Sequence, residues 1–373
     1  MDPHSPIARR FPLVARFRPA CPPLPARVRA LAELADRAAE QNDQGLASTV
    51  FNQAALLASD LGLPDLARSM CHRHAHAYLH ACPLAAVGAI RGLEPLVNLA
   101  RLQIRAGQTD DGRQRLLDLY ESVGTGSPAV FEGITVPANL AASPEDRKEV
   151  HAWLWRVVLA DGTRTLTTMG RWHEALAHIE QHRGVGTRML DGRQVAVIAA
   201  LTGGDKEHAA ALLADTTPGE PWEQTVTACL TVLSRCDAGH CHDSIAAELV
   251  DTYLSREAEP GLTVFDTRLG LTVLDAVGPE HPGARRLVED LMRRITEARN
   301  GYAARDVVSH ALFPALATEP EAQTCRDLIR SCGLGAGVLP DELSGYLSSA
   351  LERSEVVLTS SSAATATSNA PTR

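Results

Sequence analysis

Gly170-Arg171-Trp172-His173-Glu174-Ala175-Leu176 is the stretch whose reading decides the fold. The glycine stops one helix, an aromatic two residues later opens the next, and an alanine follows five residues after the glycine. The pattern returns 34 residues on as Gly204-Asp205-Lys206-Glu207-His208-Ala209, again with alanine five after glycine. An interval of about 34 residues between helix–turn–helix units marks stacked helix pairs, so the chain is expected to be all-α.

Working outward, Gly62 and Gly107 fit the same frame. Ala55 lies seven residues before Gly62 and Ala67 five after it. Ala100 lies seven before Gly107, but Gly112 takes the place of the second alanine. The Gly62–Gly107 spacing is 45 residues and the Gly107–Gly170 spacing 63, so the array is irregular. Most of the second excess falls in 124–143, which reads as a short hairpin or an ordered loop; a long insertion in a compact array is often functional. Ser143-Pro144-Glu145-Asp146 after it predicts a helix start, with serine as cap, proline in the first turn and acids behind.

The stretch from Trp153 to Pro218 resembles two tetratricopeptide (TPR) repeats, and the resemblance extends over residues 44–218. It implies a right-handed α-superhelix of about 15–16 antiparallel helices, in which the alanine positions are where paired helices touch most closely. On this reading 1–24 is a disordered Pro/Arg-rich arm and 25–218 holds the TPR-like repeats, with the 124–143 insertion. Residues 219–358 continue the array in degenerate form, with helices expected over 219–235, 242–256, 262–277, 283–299, 303–317, 319–331 and 340–356. The Ser/Thr/Ala-rich tail 359–373, which has no apolar face, is expected to be disordered.

Composition narrows the function classes. Apolar residues make up 45% and aromatics only 4% of 373 residues, so Ala, Leu and Val must do the packing. A net charge of −9 argues against phosphate-backbone binding, so no nucleic acid is expected as partner. Of 36 basic residues only Lys148 and Lys206 are lysines, a bias that fits codon usage better than selection for anion binding. Eight cysteines are scattered along the chain, which predicts reduced thiols and a cytoplasmic setting rather than a disulfide framework. Arg9-Arg10-Phe11-Pro12-Leu13 has the outline of a twin-arginine export signal, but Arg16 and Arg18 interrupt the apolar run that should follow. No run of 18 apolar residues occurs, so no membrane span is expected.

Three clusters carry ligand-type side chains. His72, His76 and His80 fall on one helical stripe; three in line rarely converge on one metal, so they are read as lining a helix–helix seam or groove. Cys236, His240, Cys241, His242 and Asp243 sit at a predicted turn without a partner pair of cysteines. His173-Glu174 and His178 are one residue too far apart for a metalloprotease motif, which turns His178 about 100° away from the required face. No nucleotide-binding or nucleophile-elbow motif appears, so neither a metal nor a cofactor is expected. Trp153 and Trp155 suit core or groove, and Trp172 suits core.

In TPR proteins the first helix of each pair lines a concave face that holds an extended peptide or partner helix. Transferring that register, Asn52 lies ten before Gly62, Asn98 nine before Gly107 and Asp161 nine before Gly170. Arg101 and Arg164 each lie six before their glycines, with Arg105 one turn beyond Arg101. Asn98 matches the asparagine with which peptide-binding TPRs grip a ligand backbone. An amide offers a donor and an acceptor to a peptide bond, and arginine suits a carboxylate. Asn52, Asn98, Arg101, Arg105, Asp161 and Arg164 are therefore the candidate site of a non-enzymatic adaptor or regulator for a protein or peptide partner. Two alternatives are a peptide- or metabolite-sensing regulator acting through another protein, and an all-α enzyme of specialised metabolism using the histidine stripe or the 124–143 insertion. Nothing in the sequence sets the oligomeric state.

Overall fold

The computed structural model describes residues 1–235 and 243–368. Cys236, His240, Cys241 and His242 lie outside the described residues, and with them the ligand cluster proposed at that turn. Among the described residues there are nineteen α-helical segments, one π-helical turn and one two-stranded hairpin. The chain is all-α, and consecutive helices pack against their neighbours. None of the described helices is long and apolar enough to cross a membrane.

The chain forms two compact units. One, here the hairpin unit, comprises Leu24–Gly162 and the chain from Gly333 onward; the other, the arm unit, joins Met1–Pro23 to Thr163–Cys332. The sequence reading placed a boundary at 218; the structural division falls at 162/163, and the array divides inside the stretch that reads as most regular. Composition does not change at Gly162, so the sequence carries no mark of it.

In the hairpin unit, helix Leu24–Gln41 buries Val28, Leu31, Ala35 and Ala38 on one face. Helix Gln44–Asp60 starts at Asp43, whose carboxylate accepts the Gly45 and Leu46 N–H groups at 2.7 and 3.2 Å. Helices Pro64–Leu79, Ala86–Arg105 and Thr109–Thr125 follow, with Pro95 inside the second of them. Strands Ala129–Phe131 and Ile134–Val136 form an antiparallel hairpin, so the insertion takes the first of its two expected forms. Helix Pro144–Val157 starts as predicted, with the Ser143 hydroxyl accepting the Asp146 N–H at 3.0 Å. The last helix, Asp341–Ser368, packs on Leu24–Gln41 and Gln44–Asp60, and its Leu347, Ala350, Leu351, Val357 and Leu358 join their core. It runs past Thr359, where disorder was expected. Val357 and Leu358 anchor the turn before the tail, and alanine-rich sequence continues a helix already started.

The arm unit contains the helices Thr163–Thr168, Trp172–Gln181, Asp191–Thr202, Lys206–Ala214, Pro221–Arg235, Asp243–Leu254, Thr263–Val277 and Ala284–Ala298. Gly301–Val308, Phe313–Leu316 and Glu319–Ser331 complete it, so the helix expected over 303–317 is two pieces. Residues 1–24 were expected to be disordered, but Pro6–Arg10 is a short helix, and Ala8, Phe11, Leu13 and Cys21 are buried. Prolines and arginines suppress periodicity without preventing order when distant groups hold the backbone.

One closure recurs in both units. Gly62, Gly107, Gly170 and Gly204 all have φ between +73° and +87°. In each case the next residue's N–H bonds the carbonyl five positions back: Leu63 to Ala58, Gln108 to Gln103, Arg171 to Leu166 and Asp205 to Ala200, at 2.9–3.0 Å. This satisfies the last helical carbonyls and requires a left-handed residue, which glycine adopts without steric cost. Ala55, Ala67, Ala100, Ala175 and Ala209 are all buried. A Cβ on Gly112 would lie 2.6 Å from Ile104 Cγ1 and 2.7 Å from the Ala100 carbonyl oxygen. The glycine that departs from the pattern thus marks a closer approach than alanine allows.

Candidate binding face

Five of the six candidate residues lie in the hairpin unit, on three elements. Helix Gln44–Asp60 carries Asn52 and helix Ala86–Arg105 carries Asn98, Arg101 and Arg105. Asp161 sits on the π-helical turn Val158–Gly162, a wider winding often found at functional sites. Exposed Arg164 belongs to the arm unit, on helix Thr163–Thr168.

The structure joins four of the five in one hydrogen-bonded row. Asn98 Nδ2 donates to Asn52 Oδ1 at 2.9 Å, and Asn52 Nδ2 donates to Glu94 Oε2 at 2.7 Å. Arg101 Nη1 donates to Asn98 Oδ1 at 3.2 Å. Its Nε and Nη2 both reach Asp161 Oδ2, at 3.1 and 2.8 Å. Arg105 stands one turn on and donates to Ser59 Oγ at 2.6 Å. Glu94 is the member that sequence reasoning missed. Its signal was present, because 94, 98, 101 and 105 are spaced by four, three and four and so form one helical stripe. Burial raises the Glu94 carboxyl above its ordinary value, while the Asn52 bond and the nearby Arg91 and Arg101 charges oppose that rise. The row thus runs from a half-buried carboxyl through two amides to an exposed guanidinium and a second carboxylate.

The histidine stripe does not line a seam. His76 and His80 are exposed, and His80 Nδ1 contacts the His76 carbonyl oxygen at 2.7 Å. Half-buried His72 stands 3.7 Å from Glu132. The seam histidine is His74, stacked on Phe51 and edge-on to Tyr78. Burial, helped by Arg91, pushes it down to about 3, so it stays neutral. No group of three or more His, Cys, Asp or Glu side chains suited to a metal occurs among the described residues.

The hairpin is fixed to its helices by Glu132 at its turn. That carboxylate accepts Arg68 Nη1 and Gln103 Nε2, each at 2.6 Å. Trp172 is buried as expected, and Glu174 pairs with Arg171, while His173 is exposed and His178 buried on another face. Burial raises the thiols of Cys71 and Cys229 to about 12, which leaves them protonated. Comparison of the chain with family models, with curated proteins and with solved structures finds no match.

Proposed function

We propose that this chain is a TPR-like, non-enzymatic adaptor or regulator that grips an extended protein or peptide segment along the Glu94–Asn52–Asn98–Arg101 row. The observation that carries this function is the bonded pair of amides from the first helices of two consecutive helix pairs, flanked by an arginine. Asn52 and Asn98 offer donors and acceptors at the spacing of neighbouring helices, and Arg101 offers a fork for a carboxylate. The common glycine closure and the buried alanines support the repeat register and, with it, a right-handed superhelical array. The function requires no cofactor, metal, nucleic acid or membrane, and it suits a cytoplasmic protein. Arg164 is not needed for it.

Co-purification followed by mass spectrometry tests this function directly. Asn98→Ala and Arg101→Ala should each weaken capture of the partner by about ten- to a hundredfold, the loss expected for one charge-assisted or buried polar contact. Arg171→Ala, on a pair beside a turn, should bind as the parent does. Equal capture by all three variants would remove the row from the function.

A further inference from the structure

Residues 3–21 are held by the arm unit in the manner of a bound peptide. After helix Pro6–Arg10 the chain runs to Pro23 without regular secondary structure. Its main chain is nevertheless bonded at intervals by residues far away in sequence. Trp172 Nε1 donates to the Pro3 carbonyl at 3.1 Å. The Leu13 N–H donates to Gln194 Oε1 at 2.6 Å, and Gln194 Nε2 donates back to the Leu13 carbonyl at 2.7 Å. The Arg18 N–H donates to the Gly261 carbonyl at 3.0 Å, and the Cys21 carbonyl accepts the Gly301 N–H at 2.8 Å. A fully buried amide that pairs with both polar groups of one residue is a peptide-recognition device, since it satisfies an extended backbone without a sheet.

The side chains complete the match. Phe11 and Leu13, two apart, are both buried. Arg10 pairs with Asp275, which also meets His310 Nε2 at 3.1 Å. Arg16 pairs with Asp191, and the Arg18 guanidinium lies 4.3 Å from the centre of the Tyr302 ring. Residues 3–23 contain four arginines and no acid, and the groups that receive Arg10, Arg16 and Arg18 are acidic or aromatic. Moreover, the residue after Pro23 is Leu24, which belongs to the hairpin unit. The arm is therefore covalently continuous with one unit while its main-chain bonds at Pro3, Leu13, Arg18 and Cys21 run to residues 163–332.

We infer that helices 163–332 form a second peptide groove, separate from the Asn52–Asn98 row, and that residues 3–21 are its resident ligand. The groove is fitted to a segment of another protein that runs extended, buries two apolar side chains at alternate positions, and presents arginines before and after them. Such a segment replaces the arm by taking the Gln194 amide and the Asp275 and Asp191 carboxylates.

The test uses the full chain with a protease site inserted between Pro22 and Pro23. The nicked protein is titrated with a fluorescent synthetic peptide of residues 3–21 and followed by polarisation. Saturable binding with retained helical circular dichroism is expected. The un-nicked chain should bind the peptide at least about tenfold more weakly, because a tethered arm competes at high effective concentration. Peptides carrying Arg10→Ala or Phe11→Ala should each bind about tenfold or more weakly, and they avoid any folding defect in the protein. Three results would overturn the assignment: loss of helical signal on nicking, an arm that never exchanges with added peptide, or equal binding by the altered peptides. A concentration-dependent dimer of the un-nicked chain would put a second copy's arm in the groove, and would overturn its assignment to another protein.

Discussion

The row in the hairpin unit and the contacts that hold residues 3–21 in the arm unit use the same kinds of polar group in two different ways. The hairpin unit bonds its amides and charges to one another, with Arg101 47% exposed. The arm unit spends the same kinds of group, an amide at Gln194 and carboxylates at Asp191 and Asp275, on the chain's own residues. Polar groups that face water are cheap to rearrange, whereas those buried under a segment become part of the stability of the unit.

That contrast should be visible in stability. Arg10→Ala leaves the largely buried Asp275 carboxylate without its arginine and should cost about 3–5 kcal/mol in urea unfolding. A cost below that of an ordinary surface pair would make the arm a loosely laid strap. Next come the close contacts proposed for both units. Gly112→Ala and Ala175→Leu should each cost roughly 1–3 kcal/mol through overpacking. Gly88→Ala, whose new Cβ meets only Leu84 at 3.6 Å, should instead stabilise by up to about 1 kcal/mol. If Gly112→Ala also stabilised, the close approach of its helix to Ala100 would be refuted.

The two regions should also respond to pH with opposite sign. Burial alone would raise the Asp275 carboxyl, but its bonds with His310 and Arg10 hold it below the ordinary 3.8. Its contribution is complete above that value and is lost as pH falls through the lower folded one. Glu94 is raised above 4.5, so its folded form favours the proton, and stability is lost as pH rises from 4.5 through the folded value. At neutral pH Asp275→Asn should therefore lower the melting temperature, whereas Glu94→Gln should leave it unchanged or raise it. Finally, Arg101→Ala should change stability by no more than about 1 kcal/mol, as expected of an exposed pair, while it weakens the proposed capture of a partner.

What the sequence made legible was local. Gly62, Gly107, Gly170 and Gly204 announce their closures because a left-handed residue at a helix end leaves a chemical signature in one or two positions. Register also selected Asn52, Asn98, Arg101 and Asp161, which the structure joins by hydrogen bonds, because equivalent positions before each closing glycine fall on corresponding helix faces. The arm was illegible for the complementary reason. Its order depends on Trp172, Gln194, Gly261 and Gly301, each more than a hundred residues away, and no periodicity within 1–23 points to them. The division at Gly162 was hidden because it falls inside one continuous helical run, where the π-helical turn passes directly into helix Thr163–Thr168, and Arg164 was assigned to the same face as Arg101 across it. Glu94 lies thirteen residues before Gly107, about one turn outside the positions nine and six before the glycine that the register singles out.

The path of the chain through the two units also sets a timetable for its synthesis. Helices Leu24–Gln41 and Gln44–Asp60 leave the ribosome well before the Asp341–Ser368 helix that covers them is made. At about 5–20 residues per second, the roughly 280 residues between Asp60 and Asp341 take about 15–60 s to translate. The arm likewise waits for Asp275 and Gly301 before its contacts exist. Val28 and Leu31 thus stay without part of their cover on a growing chain, and during that interval a chaperone has its opportunity to bind.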